Sequence, residues 1–176
     1  IMYFNDEVRK RLPNVISILG GPICHRVDPR AGENWEYIVQ GEGEKLILEV
    51  LEDIEKNGIP EKTKKIIQEI GERTNLDNLP LPNWNFYNFN DYRVPNGATM
   101  EFSRGCVAKC VFCDETHFWK FRGRSSDRVL QEVTDLYNRG VNSYWFVDSL
   151  LNGNLKELRS FCQKVIEKEM NIFWVG

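Results

Sequence analysis

Three cysteines fall within eight residues, in the run Cys106-Val-Ala-Lys-Cys110-Val-Phe-Cys113, spaced C-x3-C-x2-C. Thiolates this close cannot all face one way from a helix or a strand. They can converge from a loop, and convergent thiolates suit a soft metal or an iron–sulfur cluster. A [4Fe–4S] cluster normally takes four thiolates, so three leave one iron open to a ligand that is not protein. A disulfide framework does not fit, because the chain has an odd five cysteines and Cys110 and Cys113 are too close to staple anything useful. Zinc is the competing reading: His117 follows Cys113 by four residues and could complete a tetrahedron of three cysteines and one histidine. Structural zinc sites usually pair two separated ligand clusters, whereas here all four candidates would sit in twelve residues.

The elements around this run read as a repeating α/β pattern. An apolar stretch, Ala98 to Ser103, predicts the strand that leads into the cysteines through Gly105. A basic run, Lys120-Phe-Arg-Gly-Arg124, precedes Ser125-Ser126, which cap a helix running to about Arg139 on a stripe of Val129, Val133, Leu136 and Tyr137. Ser143 to Asp148 predicts a second strand. Asn154-x-x-Glu157 resembles a capping box and starts a second helix, with Leu158, Phe161, Cys162, Val165 and Ile166 inward. Cys162 is thereby a buried core thiol. Asn171 to Val175 begins a third strand. The order β-loop-α-β-α-β is the opening of a parallel barrel, in which catalytic groups sit at the C-terminal ends of the strands. The cysteine loop and Asp148 both occupy that position; Asp148 either points into the barrel mouth or caps the turn Ser149 to Gly153.

Ahead of this lies a second α/β stretch. Residues 2–12 predict a short helix with Tyr3, Phe4, Val8 and Leu12 on one side and Pro13 ending it. Val15-Ile-Ser-Ile-Leu19 reads as a strand buried on both faces, followed by Gly20-Gly21-Pro22. That turn is either plain or a place where backbone approaches a ligand at the sheet's C-terminal edge. Trp35 to Gln40 is a second strand, ending in Gly41-Glu-Gly-Glu44. Lys45 to Lys56 then places Leu46, Ile47, Val50, Leu51 and Ile54 at helical spacing. Glu42 and Glu44 stand at the helix start, where carboxylates favour the dipole's positive end. Lys64 to Arg73 fits a short helix or a β-arm, and Leu76 to Pro82 an extended linker. Trp84, Phe86, Tyr87, Phe89 and Tyr92 then crowd a polar stretch, which reads as a linker laying its rings onto the neighbouring domains.

These residues carry a resemblance. C-x3-C-x2-C with Phe112 before the last cysteine, behind a short strand, resembles the radical S-adenosylmethionine (radical SAM) superfamily. The resemblance implies that Cys106, Cys110 and Cys113 hold a [4Fe–4S] cluster whose open iron chelates SAM. Reductive cleavage of SAM there yields a 5′-deoxyadenosyl radical. Phe112 is implied near the adenine, and Asp148 near SAM or substrate. Arg122 and Arg124 look like the R-x-R-S stretch that ties the cluster loop to the barrel. Leu19-Gly-Gly-Pro22 with Tyr37-Ile-Val-Gln-Gly-Glu-Gly-Glu44 resembles the C-terminal half of the flavodoxin-like (Rossmann-like) cobalamin (B12)-binding domain found ahead of many such barrels. This implies Gly20, Gly21, Gly41, Glu42 and Gly43 as cobalamin neighbours. The motif D-x-H-x-x-G, which supplies the lower cobalt ligand in some cobalamin proteins, is absent from this sequence. His25 lacks that context and reads as a loop residue.

The expected architecture is therefore α/β: the C-terminal half of a cobalamin-binding-like domain (residues 1–58), a linker (59–97), and the start of a partial (β/α)6 barrel (98–176). The expected activity is a radical SAM reaction, cobalamin-dependent methyl transfer or another radical transformation. The substrate is a small molecule or unidentified, and an electron donor such as flavodoxin or ferredoxin is implied. Methylthiolation of tRNA is the alternative, although only Cys24 stands where such relatives carry three further cluster cysteines. With 41% hydrophobic and 28% charged residues the 176-residue chain should pack a core. A net charge of −3 argues against a general nucleic-acid binder. No membrane span or secretory signal is visible, and clustered cysteines then point to the cytoplasm. The chain opens on Ile1 and stops in the apolar run Ile172 to Gly176, so an internal segment of a longer protein is expected.

Overall fold

The computed structural model describes residues 2–21, 24, 35–60, 65–68, 73–113, 115 and 119–176. They form two compact units, Ile1–Arg73 and Thr74–Gly176, each built on a parallel sheet. Both are α/β. Among the described residues no helix is long and apolar enough to cross a membrane.

The first unit runs α1 (Met2–Arg11), β1 (Ile18–Leu19), β2 (Tyr37–Gln40), α2 (Gly43–Asn57) and β3 (Lys65–Gln68), with sheet order β1-β2-β3 and all pairings parallel. Burial on both faces falls on β2, where Tyr37, Ile38 and Val39 are all buried, because β2 has a strand on either side. The run Val15–Leu19 was the expected place for it, but only Ile18 and Leu19 pair, and both are half-buried. Within the ambiguous 64–73 stretch, Lys65–Gln68 form strand rather than helix. On α2, Leu46 and Val50 are buried and, with Ile54, close onto Tyr37 and Val39, while Ile47 and Leu51 are exposed. The apolar stripe is thus narrower than its spacing suggests.

α1 is anchored by polar groups, against expectation. Phe4 and Leu12 are exposed and Asn5 is buried. The Ser17 hydroxyl donates to Asn5 Oδ1 at 2.7 Å. Glu36 accepts the Ser17 N–H at 2.8 Å and meets Arg9 at 2.5 Å, linking helix and strands. Within the core, the Tyr37 hydroxyl donates to Asp53 at 2.6 Å; burial, then that carboxylate, pushes the phenol up to about 12.

The second unit runs β4 (Gly97–Met100), β5 (Ser103–Arg104), β6 (Arg122–Gly123), α3 (Ser126–Asn138), β7 (Ser143–Phe146), α4 (Leu155–Glu167) and β8 (Phe173–Val175). β4, β7 and β8 form a parallel sheet in that order, and β5 and β6 form a separate antiparallel ribbon. The expected strand 98–103 is therefore two pieces, broken at Glu101–Phe102. Alternation along the pleat decides the rest. Met100, Tyr144 and Phe146 are buried in one cluster with Val129, Val133 and Leu136 of α3 and Phe161 and Val165 of α4, so both helices cover the same face. Trp145, Phe173 and Val175, on the opposite pleat, are exposed. Phe102, Phe146 and Phe161 form a ring triangle with centroids 5.7–6.0 Å apart. Cys162 is half-buried at the edge of this core, and Ile166, expected inward, is 69% exposed.

Caps fix both helices. Ser125 accepts the Arg128 N–H, and Asn154 accepts the Glu157 N–H. Glu157 does not complete a capping box: its carboxylate takes the Ser126 N–H at 2.7 Å, tying the start of α4 to the start of α3. The stretch read as an extended linker is likewise docked. Leu76 is buried, Asp77 accepts the Ser125 N–H at 2.9 Å, and Arg128 donates to Leu79 O. Trp84 and Phe89 pack on the core, with Tyr87 and Tyr92 stacked beside them and Phe86 exposed.

The Glu157 carboxyl is held below the usual range, chiefly because the Ser126 N–H donates to it and then through the Ser126 hydroxyl. A carboxyl lowered in the fold stabilises above its unfolded value and loses that contribution as pH falls through the folded one. The thermal midpoint of the wild type should therefore drop below about pH 4, and Glu157→Gln should lower the midpoint at neutral pH and flatten that acid limb. Thermal scans of both proteins across pH check this.

Candidate functional site

The cysteine loop leaves the C-terminal edge of the second sheet, and its entry is held by backbone contacts at every step. β4 ends at Met100, whose carbonyl accepts the Val147 N–H at 2.9 Å. Phe102 then turns its ring into the core while its carbonyl accepts the Arg124 N–H at 2.9 Å. Ser103 and Arg104 pair with Gly123 and Arg122. Gly105 follows with φ +78°, a conformation side chains avoid. A Cβ there would lie 2.8 Å from the Trp119 carbonyl oxygen and from the Lys120 carbonyl carbon. Only glycine lets the loop's two ends come this close.

Beyond Gly105 the three thiols are free: Cys106 and Cys113 half-buried, Cys110 exposed. The Cys113 N–H closes a turn on the Cys110 carbonyl at 3.1 Å, and the Ala108 N–H approaches Cys106 Sγ at 3.4 Å. Among the described residues no three His, Cys, Asp or Glu side chains gather closely enough to hold a single ion. A cubane asks for something else, one thiolate on each of three irons, and three unpaired thiols on one projecting loop match that donor set. Val107, Val111 and Phe112 are exposed on the same loop. His117, the fourth ligand in the zinc alternative, lies outside the described residues, as does His25.

The arginines after the loop tie it down. Arg124 is buried; its guanidinium donates to the Glu101 carbonyl at 2.8 Å and to the carboxylate of buried Glu132 at 2.7 Å. Arg122 donates to the Thr74 carbonyl at 2.7 Å. Asp148, expected either in the barrel mouth or as a cap of the following turn, reaches back across the sheet. Its carboxylate accepts the N–H groups of Phe102 and Ser103 and, at 2.6 Å, the Ser103 hydroxyl. Sequence reasoning placed Asp148 at this edge but missed these partners; the signal available was a carboxylate two residues past one strand and a serine three residues past the neighbouring one.

In the first unit the parallel pairing of β1 and β2 sets Gly20-Gly21 and Gly41-Glu42-Gly43 on one edge, each just past a strand's C-terminus. Gly41 and Glu42 are buried, and Gly41 has φ 138°, again a glycine conformation. Among the described residues, a side-chain carbon added at Gly20, Gly21 or Gly43 would meet nothing within 4 Å. On this edge Gly20, Gly21 and Gly43 are exposed while Gly41 and Glu42 are buried. Cys24 is buried here and its thiol is pushed up by desolvation.

Comparison with known proteins follows the same lines. No protein-family model matches the chain. It is 27% identical to the anaerobic magnesium-protoporphyrin IX monomethyl ester cyclase of Synechocystis sp., over 96% of this chain and 37% of that protein. It is 28% identical to an uncharacterised methyltransferase of Pyrococcus horikoshii, over 93% of this chain and 39% of that protein. The solved radical S-adenosylmethionine methyltransferase TsrM of Kitasatospora setae, with cobalamin and a [4Fe–4S] cluster bound, superposes with a TM-score of 0.59 at 15% identity, covering 94% of this chain and 37% of that one. The chain shares the fold of a radical SAM methyltransferase. The resemblance drawn from the cysteine loop and the glycine turns is thus borne out by relatives and fold alike, and the chain spans about two fifths of the length of those relatives.

Two substitutions probe the loop's scaffold. Gly105→Ala should cost about 1–3 kcal/mol from backbone strain, and Arg124→Ala roughly 3 kcal/mol by leaving the buried Glu132 carboxylate unpaired. Denaturant unfolding curves measure both, and equality with wild type would show that the loop entry is not so held.

Proposed function

We propose that this chain is part of a cobalamin-type radical SAM enzyme that performs a methyl transfer or a radical ring closure on a small molecule. The first unit is read as the later strands of a flavodoxin-like cobalamin-binding domain. The second is read as the opening strands of a (β/α)6 barrel beginning near residue 98, with the exposed face of Trp145, Phe173 and Val175 as part of its inner wall. One observation carries the reading: three free thiols project on a single glycine-hinged loop from the C-terminal edge of a parallel sheet whose helices all cover one face.

In this reading Cys106, Cys110 and Cys113 hold the cluster. When bound, that cluster supplies the electron that cleaves SAM to methionine and a 5′-deoxyadenosyl radical. The chain's own task is placement. Gly105 and the Arg124 bridge fix where the loop starts and ends, Phe112 offers an exposed ring for the adenine, and the glycine edge of the first unit receives cobalamin. Naming of the relatives as methyltransferase and as cyclase supports both reaction types. A reduced flavodoxin or ferredoxin in the cytoplasm is the proposed electron source.

Anaerobic reconstitution of the intact polypeptide should bind about four irons per chain, form 5′-deoxyadenosine from SAM, and retain a corrinoid. Cys110→Ala should abolish deoxyadenosine. One tightly held zinc in place of iron would overturn the assignment, and a cluster without corrinoid would shift it to a cobalamin-free radical SAM reaction.

A further inference from the structure

The resemblance implies that Asp148 stands beside SAM or substrate, yet its carboxylate is already engaged. Oδ2 accepts the Phe102 N–H at 3.0 Å; Oδ1 accepts the Ser103 N–H, and the Ser103 hydroxyl at 2.6 Å. The Ser103 hydroxyl also lies 3.5 Å from the Leu150 carbonyl. These contacts join residues 45 and 46 positions apart in the chain. Their place in the fold explains them. β4 and β7 pair as far as Met100 opposite Phe146, and beyond that register the ladder stops. Phe102 and Ser103 are both buried, so two successive N–H groups leave the sheet with neither water nor a strand to receive them. The carboxylate two residues past Phe146 receives both. A carboxylate has acceptors on both oxygens, which makes it the one short side chain able to take two amides and a hydroxyl together.

We propose that Asp148 is a positioning residue: it clamps the chain where it leaves β4 and so sets the point from which the cysteine loop departs, rather than contacting SAM. The inference rests on the cluster reading of that loop for its consequence, but not for its geometry. Ser103 is three residues from Cys106, a span of at most about 10 Å of backbone, with Gly105 between them as the hinge. The other contacts at this exit, Arg124 on the Glu101 carbonyl and Arg104 on the Glu101 carboxylate, fix Glu101, while the amides of Phe102 and Ser103 are received by Asp148. Displacing the clamp frees Phe102–Gly105 to shift together, and Cys106 moves with them.

The test uses Asp148→Asn, Ser103→Ala and the double variant of the intact polypeptide. Asn keeps the size of the side chain but turns an NH2 toward a backbone N–H, so the clamp fails without a cavity. In iron-free protein, amide exchange at 102 and 103 should quicken by about tenfold in Asp148→Asn while α3 keeps its protection. In reconstituted protein, iron loss to a chelator should quicken several-fold. Half-saturating SAM on the cluster-loaded fraction should move by less than about threefold, and the double variant should be no worse than Asp148→Asn. If Asp148→Asn loses α3 protection, Ser103→Ala carries the same comparison with one bond removed. Unchanged exchange at 102 and 103 overturns the proposal. So does a rise of about tenfold or more in half-saturating SAM with exchange and iron retention intact, because that is how a direct ligand behaves. A wild type that takes up no iron defeats the cluster reading alone, since amide exchange still decides the clamp.

Discussion

A strand that ends at a functional loop must dispose of the hydrogen-bonding groups its ladder no longer satisfies, and in this molecule that requirement organises the second unit. Where β4 stops pairing with β7, the chain is buried but not yet in solvent. Four separate devices meet there: the Asp148 carboxylate on two amides, the Phe102 ring wedged against Phe146 and Phe161, the Arg124 guanidinium on the Glu101 carbonyl, and the short β5–β6 ribbon. Each is modest by itself. Together they hold the point from which the cysteine loop departs; in the proposed reading, a misplaced first ligand would misplace the rest.

The same logic explains why buried charge is tolerated at Arg124 and Glu132. An ion pair taken out of water carries a desolvation cost that its own attraction repays only if the remaining donors are satisfied. Here the guanidinium also donates to the Glu101 carbonyl and lies near the Arg128 carbonyl, so one group stitches strand exit, ribbon and α3. Replacing it by an apolar residue of equal volume would keep the packing and lose the stitching. Polar anchoring recurs at the start of α3, where Asp77 and Glu157 receive successive N–H groups from segments far apart in sequence. The dipole of the helix N-terminus favours carboxylates at this point.

The first unit uses a simpler device. Two parallel strands end side by side in glycines, and Gly20, Gly21 and Gly43 are exposed there. The Phe–Trp–Val face of the second sheet differs in kind: it is apolar and solvent-exposed, and with Trp84, Tyr87 and Phe89 it lines a cavity. These two surfaces are where the chemistry of the proposed reading would be supplied, one by a cofactor with a large flat ring and one by the inside of a closed barrel.

What the sequence by itself determined is whatever depends on local periodicity and residue type: that the chain is α/β, where α2, α3 and α4 lie, and that the three thiols share one loop. Helical spacing, N-caps and glycine turns are read over a few residues, so these survive without a fold. The tertiary structure decided everything that depends on neighbours distant in sequence. It put full burial on β2 rather than on Val15–Leu19, because sheet order determines which strand is central. It buried Asn5 in place of Phe4, exposed Ile166, buried Leu76, tied Asp77 to the start of α3, and broke the strand after Met100. It also turned the Asp148 and Glu157 carboxylates away from the roles their local sequence suggested, toward backbone amides 45 and 31 positions away. No window of sequence contains those amides; only packing brings an unsatisfied N–H to the carboxylate that receives it.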